Sequence, residues 1–427
     1  MIPMREALYA RIAERVDDLI ELTQALIRIP TVNPPGDAYR ACAELIGERL
    51  ARRGFTVQYL RAEGAVGDSE RYPRVNVVAR HDSGRPGPCV HINGHIDVVT
   101  PGAGWSVDPF GGEVRDGRIY GRGSCDMKGG LAAGIVALET LLDAVPALPG
   151  SVEVSGTVDE ESGGYGGVAF LARAGYFSRP RVDHVIIPEP LDVDRVCLGH
   201  RGVWWAEVET LGRIAHGSMP FLGESAIRHM GAFMAALEDE LYPRLASRST
   251  QMPVVPEGAR QSTLNLNSIH GGLGEEHDGL PSPLVADSCR LVLDRRFLIE
   301  EDLTAVQAEV RDILEALARE RPGFRYRLRE IMAVQPTMTE PDAPVVRAVD
   351  AEIRTVLGRE SRHVVSPGTY DQKHIARLGH LHDCIAYGPG ILDLAHQPDE
   401  YVLIEDLQHA AQVMAGASLR LLTGDLG

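Results

Sequence analysis

The feature that most constrains this chain is the short stretch from Cys89 to Asp97. Residues 90–93 indicate a buried strand, and Gly94 is expected to end it. His95 and Asp97 then lie on one side, because side chains two apart in an extended chain share a face. Such a pair suits a metal-binding histidine whose second ring nitrogen donates to the carboxylate. A hydrogen-bonded loop end has the same pattern, so the pair alone leaves both interpretations open.

Length, charge and cysteine content restrict the class of protein. The 427 residues exceed one usual hydrophobic core, so two domains are expected. A net charge of -17 disfavours nucleic acid or an anionic membrane as partner and suits divalent cations. The six cysteines form no Cys-x-x-Cys pair, which indicates neither a disulfide framework nor a thiolate zinc site. With no apolar run of membrane-spanning length, we predict a cytoplasmic protein.

Strands and helices alternate in the first part of the chain. Helices are predicted over 8–26 and 38–53, and strands over 55–60, 75–79, 151–158 and 184–187, which is typical of an α/β sheet. From residue 203 the order becomes β-α-β-β-α, and the first pattern returns after about residue 335. We therefore predict an α/β catalytic domain, with helices on both faces of a mixed, mostly parallel sheet, from residues 1–202 and 334–427. Residues 203–333 form an inserted α+β, ferredoxin-like dimerisation or lid domain.

Residues of metal-ligand type follow several predicted elements, where sites collect in α/β sheets. Asp126 precedes an apolar helix predicted over 131–145, and a helix cap is its simpler interpretation. Strand 151–158 leads into Asp159-Glu160-Glu161, three carboxylates that repel one another unless cations compensate. A solvated acidic turn is the alternative there. Glu189, between two prolines, follows strand 184–187.

Six segments together resemble the metallohydrolase family of acetylornithine deacetylase, succinyl-diaminopimelate desuccinylase, aminoacylase and glutamate carboxypeptidase. They occur in the family's order over nearly the whole chain: His95-x-Asp97, Gly123-x-x-Asp126-Met-Lys-Gly-Gly, Asp159-Glu160-Glu161-x-Gly-Gly, Pro188-Glu189-Pro190, Gly212-Arg-Ile-Ala-His216 and Ala395-His396-x-x-x-Glu400. The resemblance implies a dinuclear site. One ion would be held by His95, Asp126 and Glu189. The other would be held by Glu161, His396 and the shared Asp126, with Asp97 orienting His95.

The resemblance also implies roles for two further residues. Glu160 would be the general base that moves a proton from water to the leaving nitrogen. Three ligand carboxylates against two divalent ions leave about one net positive charge, which lowers the pKa of a shared water. Zinc, manganese or cobalt suits these ligands. His216 resembles the smaller-domain histidine that stabilises the oxyanion in the partner subunit of a homodimer; an ordinary turn histidine is the alternative.

The chain departs from the family where relatives hold the substrate. The family's Asn-x-x-Pro reads Pro283-Leu-Val-Ala, although the following strand keeps Asp294 and the candidate substrate ligand Arg296. The family's Gly-Thr-Ser-Asp-x-Arg-Phe has Tyr370 and Lys373 in place of Ser and Arg. Lysine lacks a bidentate grip on a carboxylate, and Tyr370 offers a flat face for stacking on a ring. Neutral change at a pocket rim is the alternative.

These observations predict a metal-dependent hydrolase that cleaves a C–N bond in a small carboxylated substrate. The departures weaken the case for a standard deacylase of aliphatic amino acids. The whole sequence resembles an aminohydrolase of aromatic catabolism, which releases ammonia from an aromatic amine such as 5-nitroanthranilate, and the residues permit that activity. The alternative is an N-acyl amino acid deacylase, a desuccinylase or a metallo-carboxypeptidase. A non-catalytic binding protein is disfavoured, because Glu160 and every ligand position are occupied.

Overall fold

The computed structural model describes residues 2–272 and 283–426. The chain divides into two compact units. The larger unit comprises Met1–Gly199, Met338–Val364 and Tyr370–Gly427, and the smaller unit comprises His200–Thr337 and Val365–Thr369. The smaller unit therefore lies, in sequence, within the larger one.

The regular elements of the described residues are named in chain order. The strands are β1 (Thr56–Arg61), β2 (Val75–Asp82), β3 (Cys89–His95), β4 (Glu113–Arg115), β5 (Arg118–Tyr120), β6 (Ser151–Thr157), β7 (His184–Ile187), β8 (Arg195–His200), β9 (Gly202–Leu211), β10 (Thr263–Gly271), β11 (Ser288–Phe297), β12 (Arg325–Val334), β13 (Thr337–Met338), β14 (Arg362–Ser366), β15 (Cys384–Ala386) and β16 (Tyr401–Leu403). The helices are α1 (Ile2–Ala13), α2 (Val16–Ile27), α3 (Tyr39–Arg52), α4 (Lys128–Ala144), α5 (Val168–Arg173), α6 (Ala226–Ala236), α7 (Tyr242–Ala246), α8 (Leu303–Glu320), α9 (Pro344–Leu357), α10 (Gln372–Leu378) and α11 (Ile404–Thr423). None of these helices is long and apolar enough to cross a membrane.

A nine-stranded sheet forms the centre of the larger unit. Its order is β1-β2-β6-β3-β7-β15-β8-β13, with β14 beside β8. Strands β6, β3, β7 and β15 are parallel, whereas β1 and β2 at one side and β8 at the other are antiparallel to their neighbours. The predicted mixed α/β sheet is confirmed. The carboxyl ends of the parallel strands meet at one edge, so the chain segments that follow them are brought together there.

Strand β3 has an apolar face and a polar face, and both are buried. A Cβ on Gly94 would lie 3.0 Å from the Cβ of Leu131 in α4, so the glycine lets this helix pack closely. The predicted end of the strand at Gly94 is wrong, since β3 continues to His95. On the opposite face, the ring of His91 stacks on Phe177, with ring centroids 4.6 Å apart. Helices and connecting segments therefore cover both sides of β3.

Two local predictions in the larger unit change. The helix predicted over 8–26 is two helices, because the helical pattern is interrupted between Ala13 and Val16. Helix α4 begins at Lys128 after Met127, so Asp126 lies one residue before the N-cap position and makes no cap. The simpler interpretation of Asp126 is therefore wrong, and its carboxylate is available for another role.

The smaller unit has a four-stranded antiparallel sheet in the order β10-β11-β9-β12. Its apolar face packs on helices α6 and α8 around a buried core that includes Trp204, Met230, Phe233, Leu293 and Val310. The predicted α+β domain is confirmed, but the sequence pattern missed β12. That strand carries exposed arginines in alternate positions, so its apolar signal is weak.

The close packing of α4 against the segment carrying Glu189 can be tested at Gly130. A Cβ there would overlap the carbonyl oxygen of Pro188. We expect Gly130→Ala to lower the free energy of unfolding by about 1–3 kcal/mol in urea denaturation, because overpacking displaces the backbone. Gly231→Ala in α6 is the control, since no atom lies within 4 Å of its added Cβ. The free energy of unfolding of Gly231→Ala should rise by roughly 0.5–1 kcal/mol, because alanine is favoured over glycine inside a helix. Equal effects at the two glycines would contradict this account of α4.

Candidate metal centre

Side chains at or after the ends of the parallel strands, together with Asp126 in the loop after β5, form two overlapping groups of ligand type. Each group offers three ligand atoms that lie within 4.8 Å of one another. The first group is His95, Asp126 and Glu189, and the second is Asp126, Glu161 and His396. The structure thus brings together all five metal ligands predicted from the sequence, with Asp126 common to both groups.

The orientation of His95 is set by its own loop. Nδ1 of His95 donates to the main-chain carbonyl oxygen of Asp97 at 2.9 Å. Since a carbonyl oxygen only accepts, Nδ1 carries a proton and Nε2 faces Asp126 Oδ1, 3.0 Å away. The sequence pattern predicted the Asp97 carboxylate as the acceptor, but its Oδ1 lies 3.6 Å from Nδ1. The ring is fixed as expected, through a different oxygen of the same residue.

The carboxylate of Asp97 instead holds the turn that carries Glu160 and Glu161. It accepts the main-chain N–H groups of Glu160 and Glu161, both at 3.1 Å. It also accepts a hydrogen bond from Asn33 Nδ2 at 2.9 Å. Burial raises the pKa of Asp97 to about 6, while the neighbouring His95 charge and the Asn33 hydrogen bond oppose this rise. Sequence reasoning missed Asn33 as a site residue, because its partner lies 64 residues away.

Three carboxylates of the site are largely withdrawn from water. Burial raises the pKa of Glu161 to about 7, and burial together with the Asp126 charge raises the pKa of Glu189 well above its usual value. Burial also acts on Asp126, but hydrogen bonds from His396 and His95 outweigh it and lower its pKa. Hydrogen bonds to Asp126 and Glu161 raise the pKa of His396 to about 10. So much buried negative charge, with imidazole nitrogens beside it, fits divalent cations.

Glu160 lies next to a ligand but belongs to neither group. Its Oε1 accepts a hydrogen bond from Lys373 Nζ at 3.1 Å, and the Lys373 side chain is only 3% exposed. Burial lowers the pKa of Lys373, but the charges of Glu160 and Asp371 outweigh burial and raise it. Lys373, which the sequence predicts to bind substrate, is therefore a buried ammonium group that is hydrogen-bonded to the predicted base, Glu160.

Tyr370, also predicted to bind substrate, is in a different environment from the expected one. It is 6% exposed, and its hydroxyl donates to Gln372 Oε1 at 2.6 Å. The structure does not provide the open aromatic face that the sequence predicts at this position. The substitution of a small residue by tyrosine is accommodated within the interior of the larger unit.

The two remaining candidates belong to the smaller unit. Arg296 forms a bidentate ion pair with Asp294, at 2.7 and 3.1 Å. His216 is exposed, and its Nδ1 accepts the main-chain N–H of Ser218 at 3.2 Å. In the neutral ring the proton is therefore on Nε2, which can donate to an oxyanion. The roles of both residues stay predictions.

Comparison with known proteins gives consistent matches over most of the chain. Residues 91–420 match the family described as Peptidase family M20/M25/M40. A succinyl-diaminopimelate desuccinylase of Thioalkalivibrio sulfidiphilus is 28% identical over 413 residues, which cover 95% of this chain and 100% of that protein. The enzyme of that name from Xanthomonas campestris pv. campestris strain 8004 is 31% identical over 397 residues, with 92% and 95% covered. The crystal structure of human carnosine dipeptidase 1 shares the fold, with a TM-score of 0.77, 18% identity, and 98% and 99% covered.

The contacts of Asp97 predict that its carboxylate supports metal binding. Asp97→Asn turns one acceptor oxygen into a donor facing main-chain N–H groups, which should displace the Glu160–Glu161 turn. We expect the affinity for divalent ions to fall about 10–100-fold, measured by chelator competition. Asp116→Asn, in an exposed turn, is the control and should bind ions as the unaltered protein does. Unchanged affinity in folded Asp97→Asn would rule out this role.

Proposed function

The chain belongs to peptidase family M20/M25/M40, and we propose that it is a deacylase that hydrolyses the amide bond of an N-acyl amino acid. As a member of that family it is a dinuclear-metal-dependent hydrolase of C–N bonds. The observation that carries the proposal is a glutamate, Glu160, placed beside two ligand groups but used by neither. The deacylase assignment is supported by the desuccinylase relatives, which align over more than nine-tenths of this chain.

Each residue of the proposed site has a separate role in the hydrolysis of the amide bond. Two divalent ions, zinc, manganese or cobalt, would be held by the two ligand groups and would supply Lewis acidity to the amide carbonyl and to water. Glu160 takes the proton of the attacking water and gives it to the leaving nitrogen. His216, acting in the site of the partner subunit as the family resemblance implies, donates its Nε2–H to the carbonyl oxygen as negative charge develops on it. Lys373 offers its ammonium group to a substrate carboxylate beside the base, and Arg296 offers a second cation.

Aromatic amines such as 5-nitroanthranilate are the competing class of substrate. That prediction rested on the overall likeness of the sequence, and a stacking face at Tyr370 would have supported it, but the side chain is buried against Gln372. The desuccinylase relatives favour acyl substrates instead. We therefore propose N-acyl amino acids as the substrate class. Assays with 5-nitroanthranilate and with a dipeptide test the two alternative classes.

We expect protein loaded with zinc, manganese or cobalt to release free amine from N-succinyl or N-acetyl amino acids. Glu160→Gln should lower kcat about 10²–10⁴-fold, because the proton of the attacking water loses its acceptor. Amine release is followed by a colorimetric assay, and loss of aryl-amine absorbance is followed for 5-nitroanthranilate.

Glu63→Gln, an exposed change in the larger unit, is the matched control and should keep full activity. Turnover of the nitroaromatic alone would replace the deacylase by an aminohydrolase. An unchanged kcat in Glu160→Gln with both ions bound would remove Glu160 as the base.

We also propose that the protein is a homodimer joined through the smaller unit. Three large apolar side chains of that unit are open to solvent, Ile214 at 57%, Phe221 at 77% and Leu222 at 55% exposure. They lie within nine residues of chain, next to His216. Apolar side chains grouped in this way suit a protein interface. A partner subunit covering them would agree with the predicted action of His216 in trans.

The interface is tested with Phe221→Asp. A buried charge at the subunit contact should convert the dimer to a monomer in sedimentation velocity. Val66→Asp is the control, since Val66 is 88% exposed in the larger unit and should leave the dimer intact. A monomeric unaltered protein would exclude the dimer, and a dimeric Phe221→Asp would place the interface elsewhere.

A further inference from the structure

Strand pairing places Glu400 beside the loop that leads to Asp126. Strand β16 pairs with β5 in antiparallel register, with Tyr401 opposite Tyr120. The next residues outward are Glu400 and Gly121, and the Gly121 N–H donates to the Glu400 carbonyl at 2.9 Å. Two segments therefore lie side by side at this end of the strand pair. They are the loop from Gly121 to Asp126, which follows β5, and the segment 396–400, which begins with His396 and precedes β16. Each carries a ligand of the second group.

The side chain of Glu400 is fully buried and accepts from four donors. Its Oε1 accepts the main-chain N–H groups of Gly123 at 3.0 Å, Cys125 at 2.9 Å and Asp126 at 3.1 Å. Its Oε2 accepts from Arg122 Nη1. An ionised carboxylate is the side chain that accepts from four donors without offering a proton of its own. The main chain of the loop that carries Asp126 is thus hydrogen-bonded around the carboxylate of Glu400.

Arg122 extends this contact to the neighbourhood of His396. It is 1% exposed, and besides Glu400 its Nη1 donates to the carbonyl oxygen of Gln397 at 3.3 Å. Its Nη2 donates to Pro101 at 3.3 Å. His396 has a φ of +64°, a conformation that non-glycine residues adopt only when their surroundings hold them there. The bond to Gln397 supplies such a restraint one residue away.

We propose that Arg122 and Glu400 are positioning residues for the second ion, the one bound by Asp126, Glu161 and His396. Neither belongs to a ligand group. Their ion pair fixes the main chain at Asp126 and the main chain beside His396 relative to each other, which sets the separation of two ligands before an ion binds. This inference rests on the dinuclear site proposed above and is independent of which substrate is cleaved.

The test is a Co²⁺ titration of chelator-treated protein, followed by visible absorption and equilibrium dialysis. Glu400→Gln keeps the size of the side chain but turns an amide nitrogen toward N–H donors. The expected result is a second ion bound about 10–100-fold more weakly with an altered spectrum, and a smaller loss for the first ion, which shares Asp126 but not His396. Glu405→Gln, five residues on and exposed, should match the unaltered protein.

Arg122→Lys is the second variant and decides the outcome if Glu400→Gln does not fold. It keeps a positive charge but loses the planar fork that reaches Gln397 and Pro101, so the second ion should again bind more weakly. Two ions bound with unaltered affinity in either folded variant would overturn the proposal. So would equal loss of both ions together with a lower unfolding temperature of the metal-free protein. If the unaltered protein binds fewer than two ions, the dinuclear site itself fails.

Discussion

The structure depends on gathering carboxylates at the edge where the central parallel strands end. Largely buried, Asp126 lies within 4.8 Å of Glu189 in one ligand group and of Glu161 in the other, an arrangement that desolvation and mutual repulsion oppose. The neighbouring imidazoles of His95 and His396 offset part of this cost, and divalent cations would offset the rest. The position of the site follows from the sheet, because parallel neighbours bring distant segments to the same edge.

Two buried acids that bind no ion share one physical role. Asp97 and Glu400 each accept several main-chain N–H groups from loops that lack regular hydrogen bonding. A carboxylate placed in this way satisfies the backbone and fixes the loop. Asp97 holds the turn with Glu160 and Glu161, and Glu400 holds the loop with Asp126. The main chain at Glu160, Glu161 and Asp126 is thus held by hydrogen bonds to these two acids.

Much of the fold and the site was predictable from local patterns. Strand β7 was predicted at its observed limits, His184–Ile187, and helix α3 within one residue of its limits, Tyr39–Arg52, because the apolar pattern and the flanking breakers agree there. The break between α1 and α2 and strand β12 were missed, since one continuous apolar repeat hides a break and exposed arginines hide a strand. At Tyr370, residue type suggested a stacking surface, but burial depends on neighbours far away in sequence.

The sequence by itself determined which residue types stand near which strand ends, and its resemblance to the family implied the five candidate ligands and the candidate base. Only the tertiary structure decided which atom contacts which. It shows that His95 donates to the main-chain carbonyl of Asp97 rather than to its carboxylate, and that Lys373 donates to Glu160. It also shows that Glu400 accepts hydrogen bonds from a loop more than 270 residues earlier in the chain. The reason is that periodicity and turn residues act over a few positions. Hydrogen-bond partners across a sheet are set by strand order and register, which no local pattern encodes.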